Sequence, residues 1–211
     1  ICFAFDESLG TCFRNKIFRG YKADRPTAPC ELKIQFSLCR EFLDILGIKN
    51  FASDRYEADD IIYTLSKQNA RENIQNIVIT NDKDLYQAIN VGDLWWNLTN
   101  KKLSYNDIEK DLGFSPKYFT DFQALTGDSV DNVPGAPGIG KITATYLIKK
   151  YKTINEVYKN LQNLKSVEKG KYSRIADILI KNEKIIYISK KLVTLNVIDE
   201  IALSPTSISP D

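Results

Sequence analysis

Residues 56–84 read YEADDIIYTLSKQNARENIQNIVITNDKD. Three carboxylates, Glu57, Asp59 and Asp60, stand within four positions, and an apolar run of helical spacing follows at once over 57–68. Next comes IQNIVIT (74–80), rich in β-branched residues, which reads as a buried strand. That strand ends on more acids, Asp82 and Asp84. A helix leading into such a strand predicts an alternating α/β chain, in which ligands gather beyond the carboxyl ends of the strands.

Outward from this stretch the alternation continues. CFAF (2–5) is an apolar run ending at Asp6. ELKIQFSLCREFLDIL (31–46) has mostly helical spacing, with Gly47 as its stop. The short segment KNFAS precedes the acidic helix, and LWWNLT with KKLSY suggests a hairpin around Thr99 and Asn100. Near residue 125 the character changes. TGDSVDNVPGAPGIGK concentrates glycine and proline, three helical segments follow, and SPTSISPD reads as a linker or frayed end. The expected organisation is a core over 1–125 with a parallel sheet and helices on both faces, a helical module over 126–203, and a tail over 204–211.

Composition narrows the chemistry. The 211 residues carry a net charge of +2, so affinity for nucleic acid has to come from local patches. No histidine is present, which removes Ser-His and Cys-His catalysis and histidine metal sites. Acids and bases are left to carboxylate, lysine, tyrosine or metal-bound water. The four cysteines form no CxxC pair and read as reduced thiols. No apolar run is long enough for a transmembrane helix. Methionine is absent even at position 1, so the start reads as truncated.

A parallel sheet would bring Asp6, Glu57, Asp59, Asp60, Asp82, Asp84, Asp128 and Asp131 to one edge. Taken singly, each group has a plainer reading: acids at a helix start favour the macrodipole, and Asn-Asp stretches make turns. Taken together, they repel one another and call for cations. Oxygen-only donors favour Mg²⁺ or Mn²⁺, and two such ions suit phosphodiester hydrolysis. Gly138-Ile139-Gly140 ahead of a helix near Lys141 suits backbone contact with phosphates. Arg14, Lys16, Arg19, Lys22 and Arg25 alternate with Phe13, Phe18 and Tyr21, which fits either a single-strand path or a solvated connection. The length of that segment, 10–30, suggests a lid or arch.

The motifs FDESLGTCFRN..F..YKADR from Phe5, YEADDII from Tyr56, ITNDKDLYQ from Ile79 and TGDSVDNVPGAPGIGKITA from Thr126 resemble, in order and spacing, the 5′-nuclease superfamily. That superfamily includes flap endonucleases, stand-alone bacterial 5′→3′ exonucleases and the 5′→3′ exonuclease domain of bacterial DNA polymerase I. The resemblance implies a PIN-like core, a helical arch, and a helix-three-turn-helix (helix-hairpin-helix) DNA-binding module. It implies a divalent-metal-dependent 5′→3′ exonuclease or flap endonuclease that acts on DNA near free 5′ ends, flaps or nicks, leaving a 5′-phosphate and a 3′-hydroxyl. Asp6, Glu57, Asp59 and Asp60 resemble the first metal cluster, and Asp82, Asp84, Asp128 and Asp131 the second. Arg14, Lys22 and Arg25 resemble catalytic arch residues at the scissile phosphate, and Tyr21 a base-stacking neighbour. Gly138, Ile139, Gly140, Lys141 and Thr143 resemble the hairpin and helix start that grip DNA, with K⁺ at the hairpin.

The resemblance also implies a monomer at DNA in the bacterial cytoplasm and nucleoid, beside a polymerase domain or replication partner. The family's earlier Asp-bearing strand has no counterpart here, so a longer intact protein is expected. Two alternatives follow: a non-catalytic, structure-specific DNA-binding fragment, or a PIN-like ribonuclease.

Overall fold

Helix α3 (Ala58–Arg71) joins the two halves of the sheet region. It starts where the Asp60 carboxylate accepts the Glu57 N–H at 3.2 Å, satisfying one of the donors left open at a helix start. It ends before Asn73, whose left-handed φ of 58° lets the Ile74 N–H return to the Asn69 carbonyl at 2.9 Å. The computed structural model describes residues 1–7, 10–99, 101–167 and 171–199.

β1 (Cys2–Asp6) pairs in parallel with β2 (Lys49–Ser53), with Ala4 opposite Phe51 and Asp6 opposite Ser53. Ile61 and Leu65 of α3 pack with Ala4, Phe51 and Tyr56 from this pair. β3 (Ile77–Ile79) pairs in parallel with β4 (Leu94–Trp96), and β4 pairs antiparallel with β5 (Lys102–Ser104). Val78, Trp95 and Leu103 enter the main core, against which Ile62 and Tyr63 of α3 also pack. Two faces of one helix thus serve two clusters.

The expected parallel sheet is, among the described residues, two ladders, one of them with an antiparallel edge. KNFAS, with no alternation of its own, is strand β2, because pairing with β1 and not local pattern makes it a strand. In the arch segment, α1 (Phe13–Ile17) is a single short helix, followed by turns up to α2 (Cys30–Ile45). Helix α2 forms where its spacing predicts, yet Leu43 is its only buried residue. Leu38, Phe42 and Ile45 are 57 %, 60 % and 76 % exposed.

The second half is helical. α4 (Tyr105–Leu112) starts at Ser104, whose hydroxyl accepts the Asp107 N–H, and stops at Gly113 with φ 76°. α5 (Phe119–Thr126) lies along α9 (Lys171–Val193), and its Ala124 and Leu125 are fully buried. Burying one such leucine contributes about 1.5–3 kcal/mol. α6 (Lys141–Tyr151), α7 (Ile154–Lys159) and α8 (Leu161–Val167) complete the module. Asp121 of α5 accepts the Ile154 N–H at 2.8 Å and the Lys190 ammonium at 2.7 Å, which ties α7 and α9 to α5. No helix among the described residues is long and apolar enough to cross a membrane. The tail over 204–211 and Asn100 of the hairpin lie outside the described residues.

After α5 the chain crosses itself. Gly127 and Gly135 have φ 68° and 61°, and a Cβ on Gly135 would stand 2.3 Å from the Gly127 nitrogen. Gly135→Ala is therefore expected to lower unfolding free energy by about 2–4 kcal/mol in urea titration. A loss below about 0.5 kcal/mol would show that this crossing yields without strain.

Candidate active site

The acids of YEADD divide by direction. Asp60 is 0 % exposed, and its two oxygens accept four hydrogen bonds: Arg14 Nη1 at 2.6 Å, Arg14 Nη2 at 2.8 Å, Glu57 N at 3.2 Å and Asn196 N at 2.8 Å. A carboxylate has about four such places, so Asp60 has none left for a cation. Glu57 is also buried. Its Oε2 accepts from Arg14 Nη1 at 3.0 Å and from the Tyr21 hydroxyl at 2.9 Å, while Oε1 pairs with the Lys22 ammonium. The plainer reading of the cluster holds here: Asp60 caps α3, and both acids neutralise cations of the arch segment.

Asp59 is turned elsewhere. Burial, then the charge of Asp82, pushes its carboxyl up to about 7, with Glu57 and Asp84 adding to the effect and Lys22 opposing it. Asp84 is likewise pushed up to about 7 by burial and by Asp82, with Asp128 and Asp131 beyond, while an N–H from Gln123 opposes the rise. Asp82 stands at the end of the β3 segment, where its Oδ1 accepts the Asp84 N–H at 2.8 Å and its carbonyl accepts the Trp95 indole N–H at 3.0 Å. Asp128 Oδ1 accepts the Val130 N–H at 2.7 Å. Asp59, Asp82, Asp84 and Asp128 form no ion pair among the described residues. No three acids among those residues stand close enough to form a ready-made ion shell, so the expected convergence of eight is not assembled. Three of the eight, Glu57, Asp60 and Asp131, turn to arginine and lysine instead.

Asp131 pairs with Arg25 and, at 3.6 Å, with Lys22, whose N–H also reaches the Asp131 carbonyl. Lys22 has a left-handed φ of 52°. Burial disfavours its charge, but Glu57 and Asp131 outweigh that and raise its pKa. Asp6 ends β1, exposed, and lines a cleft of about 910 Å³ in which Arg19, Lys22, Arg25, Lys33 and Arg40 stand among Glu7, Glu41, Asp44 and Glu57.

Three residues differ from expectation. Arg14 is 1 % exposed, so a direct contact with a scissile phosphate is closed to it. Its Nε donates to the Leu192 carbonyl at 2.7 Å and its Nη2 to the Thr194 carbonyl at 3.1 Å. Tyr21 is 4 % exposed with its hydroxyl on Glu57, so its ring is not open for stacking on a base. Ile139 is 3 % exposed in the core and anchors the turn from inside. Around it Gly138, Gly140, Lys141 and Ile142 are exposed and Thr143 is half-buried. Gly138 has φ 93°, and Gly140 opens α6, with no atom within 4 Å of where a Cβ would lie.

Comparison with known proteins places this arrangement. Residues 1–113 match the family described as "5'-3' exonuclease, N-terminal resolvase-like domain", and residues 114–210 match "5'-3' exonuclease, C-terminal SAM fold". The chain belongs to the 5′-3′ exonuclease family. It is 35 % identical over 196 residues to a protein named 5'-3' exonuclease from Buchnera aphidicola subsp. Acyrthosiphon pisum (strain APS), covering 92 % of this chain and 68 % of that one. It spans about two thirds of the length of the Buchnera relatives it matches. DNA polymerase I of Lactococcus lactis subsp. cremoris (strain MG1363) is 31 % identical over 204 residues, with 93 % of this chain and 22 % of that one covered. In fold, the chain resembles T5 5'-exonuclease in a structure with zinc bound, at TM-score 0.70 and 20 % identity over 92 % of this chain and 73 % of that one. The catalytic core of Rad2 in complex with DNA gives TM-score 0.57 at 16 % identity over 94 % and 66 %.

In this exonuclease-family chain, three side chains at the site escaped the sequence reading. Lys33 and Arg40 of α2 line the cleft. Their spacing of seven on one helix face was the available signal. Gln123, one turn before the α5 terminus, holds Asp84, and nothing in its local sequence marks it.

Folding raises the pKa of Asp59 and Asp84 from the ordinary 3.8 to about 7. Between those values the folded chain binds more protons than the unfolded one, so the two groups make stability fall as pH rises through that window. The metal-free protein is expected to lose melting temperature from about pH 5 to about pH 8 more steeply than Asp59→Asn/Asp84→Asn. Parallel slopes in differential scanning calorimetry would show that the two carboxyls are not crowded.

Proposed function

We propose that this chain is a divalent-cation-dependent 5′-nuclease that hydrolyses DNA phosphodiester bonds near free 5′ ends, flaps or nicks. One observation carries the reading: Asp59, Asp82, Asp84 and Asp128, from three segments of an exonuclease-family chain, lie near enough for their charges to act on one another and have no ion-pair partners among the described residues, beside Lys22 and Arg25.

The residues present fit such ions. The donors are all oxygen, which suits Mg²⁺ or Mn²⁺. The amide oxygen of Gln123, next to Asp84, is buried without a hydrogen-bond partner. A spread of carboxylates rather than a closed shell suits Mg²⁺, which keeps several waters and takes one or two carboxylates. Asp59, Asp82, Asp84 and Asp128 would hold two ions, with Asp131 and Glu57 at the margin and Asp6 at the cleft wall. When bound, such ions supply Lewis acidity and activate water at neutral pH.

The chain's own part is charge and position. Lys22 and Arg25 hold positive charge beside the carboxylates, ready to be drawn to a phosphate that enters the cleft. Arg19, Lys33 and Arg40 line the same cleft, interleaved with Glu7, Glu41 and Asp44 and with Arg40 paired to Glu7, so the basic side chains offer separate phosphate contacts to a single-stranded 5′ end. The turn at Gly138 and Gly140 presents backbone N–H groups, with Lys141 and Thr143 at the start of α6, to the backbone of a duplex. Carbonyls of that turn are the place for K⁺. The division into a core over 1–125 and a DNA-gripping module over 126–203 belongs to this reading. So do a monomeric state, a neighbouring polymerase domain, and action at DNA in the bacterial cytoplasm.

Cleavage of a labelled 5′-flap DNA with Mg²⁺ or Mn²⁺ against a chelator tests the proposal. Short 5′ products that depend on metal are expected, while tight binding without cleavage would overturn the catalytic part. Asp82→Ala is expected to slow cleavage by about 100-fold or more with DNA binding retained; retained activity removes Asp82 from the metal site. Gly140→Val leaves the fold intact, since space is open there, and is expected to weaken duplex binding by about tenfold. Unchanged affinity would make the hairpin a plain turn.

A further inference from the structure

We infer that Arg14 is the positioning residue of the carboxylate cluster, fixing the start of α3 against the carbonyl end of α9 so that Asp59 faces Asp82 and Asp84. The inference rests on the nuclease reading above and gives Arg14 a role other than contact with substrate.

The guanidinium joins two places far apart in the chain. On one side it holds Asp60 through both oxygens and Glu57 through Oε2, and on the other it holds the carbonyls of Leu192 and Thr194. Its planar fork keeps these directions in a fixed relation, which a single ammonium cannot do. Asp60 adds a second tie to the same region by accepting the Asn196 N–H at 2.8 Å. With Asp60 saturated, the start of α3 has one set orientation. Asp59 is the preceding residue, about 100° around the helix, and so points away from the guanidinium. Glu57 is held by the same group, which leaves its Oε1 to Lys22. Arg14 thereby sets both a carboxylate left without an ion pair and the lysine beside it.

The test uses the full chain and Mn²⁺ as probe. Arg14→Lys keeps the charge and loses the fork, while Arg14→Gln/Asp60→Asn leaves no buried charge unpaired and keeps the fold if the first variant does not. Far-UV circular dichroism and duplex binding are expected to stay near wild type, while Mn²⁺ affinity by calorimetry falls by about 10–100-fold, as for losses of supporting residues at metal sites. On the flap substrate, kcat falls with KM little changed. A lower melting temperature with Mn²⁺ affinity and kcat unchanged would make Arg14 merely structural and overturn the inference. If wild type itself neither binds Mn²⁺ nor cleaves the flap, the nuclease reading falls and this inference with it. Wild-type binding that both variants match overturns this inference alone.

Discussion

A guanidinium shut away from water must place its N–H groups on protein acceptors, and Arg14 finds them at both ends of the molecule's architecture. Two carboxylates come from the start of α3 and two carbonyls from the end of α9 and just beyond it. Because a half-satisfied buried ion is far more costly than a fully bonded one, the arrangement is close to all-or-none. The α3 start, the arch segment that carries Arg14, and the last turn of α9 are placed together or not at all. Asp121, with its bonds to Ile154 and Lys190, does the same on the far side of α9. The long helix is held at its C-terminal half by an ion pair at Lys190 and by the guanidinium on the Leu192 carbonyl.

The remaining acids show what the fold leaves undone. Glu57, Asp60 and Asp131 are matched by Arg14, Lys22 and Arg25. Asp59, Asp82, Asp84 and Asp128 have no such match among the described residues, and the first and third are buried and crowded enough for their pKa to rise to about 7. Folding alone gains nothing from keeping such groups close, since repulsion and desolvation both oppose it. Unrelieved charge in one place is the mark of a site whose counterpart arrives from outside.

Local features of the fold were legible in the residues. The α3 and β3 segments and the opening of α6 at Gly140 follow from periodicity, caps and glycine. β2 was not, because KNFAS becomes a strand through its partner 47 positions away in the register Cys2 to Lys49. The site was legible as a collection of acids and bases but not as a division of labour. EADD does not say that Asp60 turns to Arg14 and Asp59 away from it, because that depends on a guanidinium whose other partners are 178 and 180 positions along the chain. Tyr21 and Ile139 misled for the same reason: burial is set by tertiary packing, and an aromatic between basic residues looks the same whether its ring is open or sealed.

That two of the acceptors of Arg14 are main-chain carbonyls has a consequence for how such a chain can vary. No side-chain replacement at Leu192 or Thr194 removes a carbonyl, so this contact does not depend on which side chain stands there, although Leu192 is itself buried in the core. What the contact cannot tolerate is a change of phase. One residue added within α9 turns everything after it by about 100° and shifts it by about 1.5 Å, swinging the Leu192 carbonyl off the guanidinium. The length of α9 between its contacts with α5 and its end is therefore a quantity under constraint, visible in insertions and deletions rather than in substitutions.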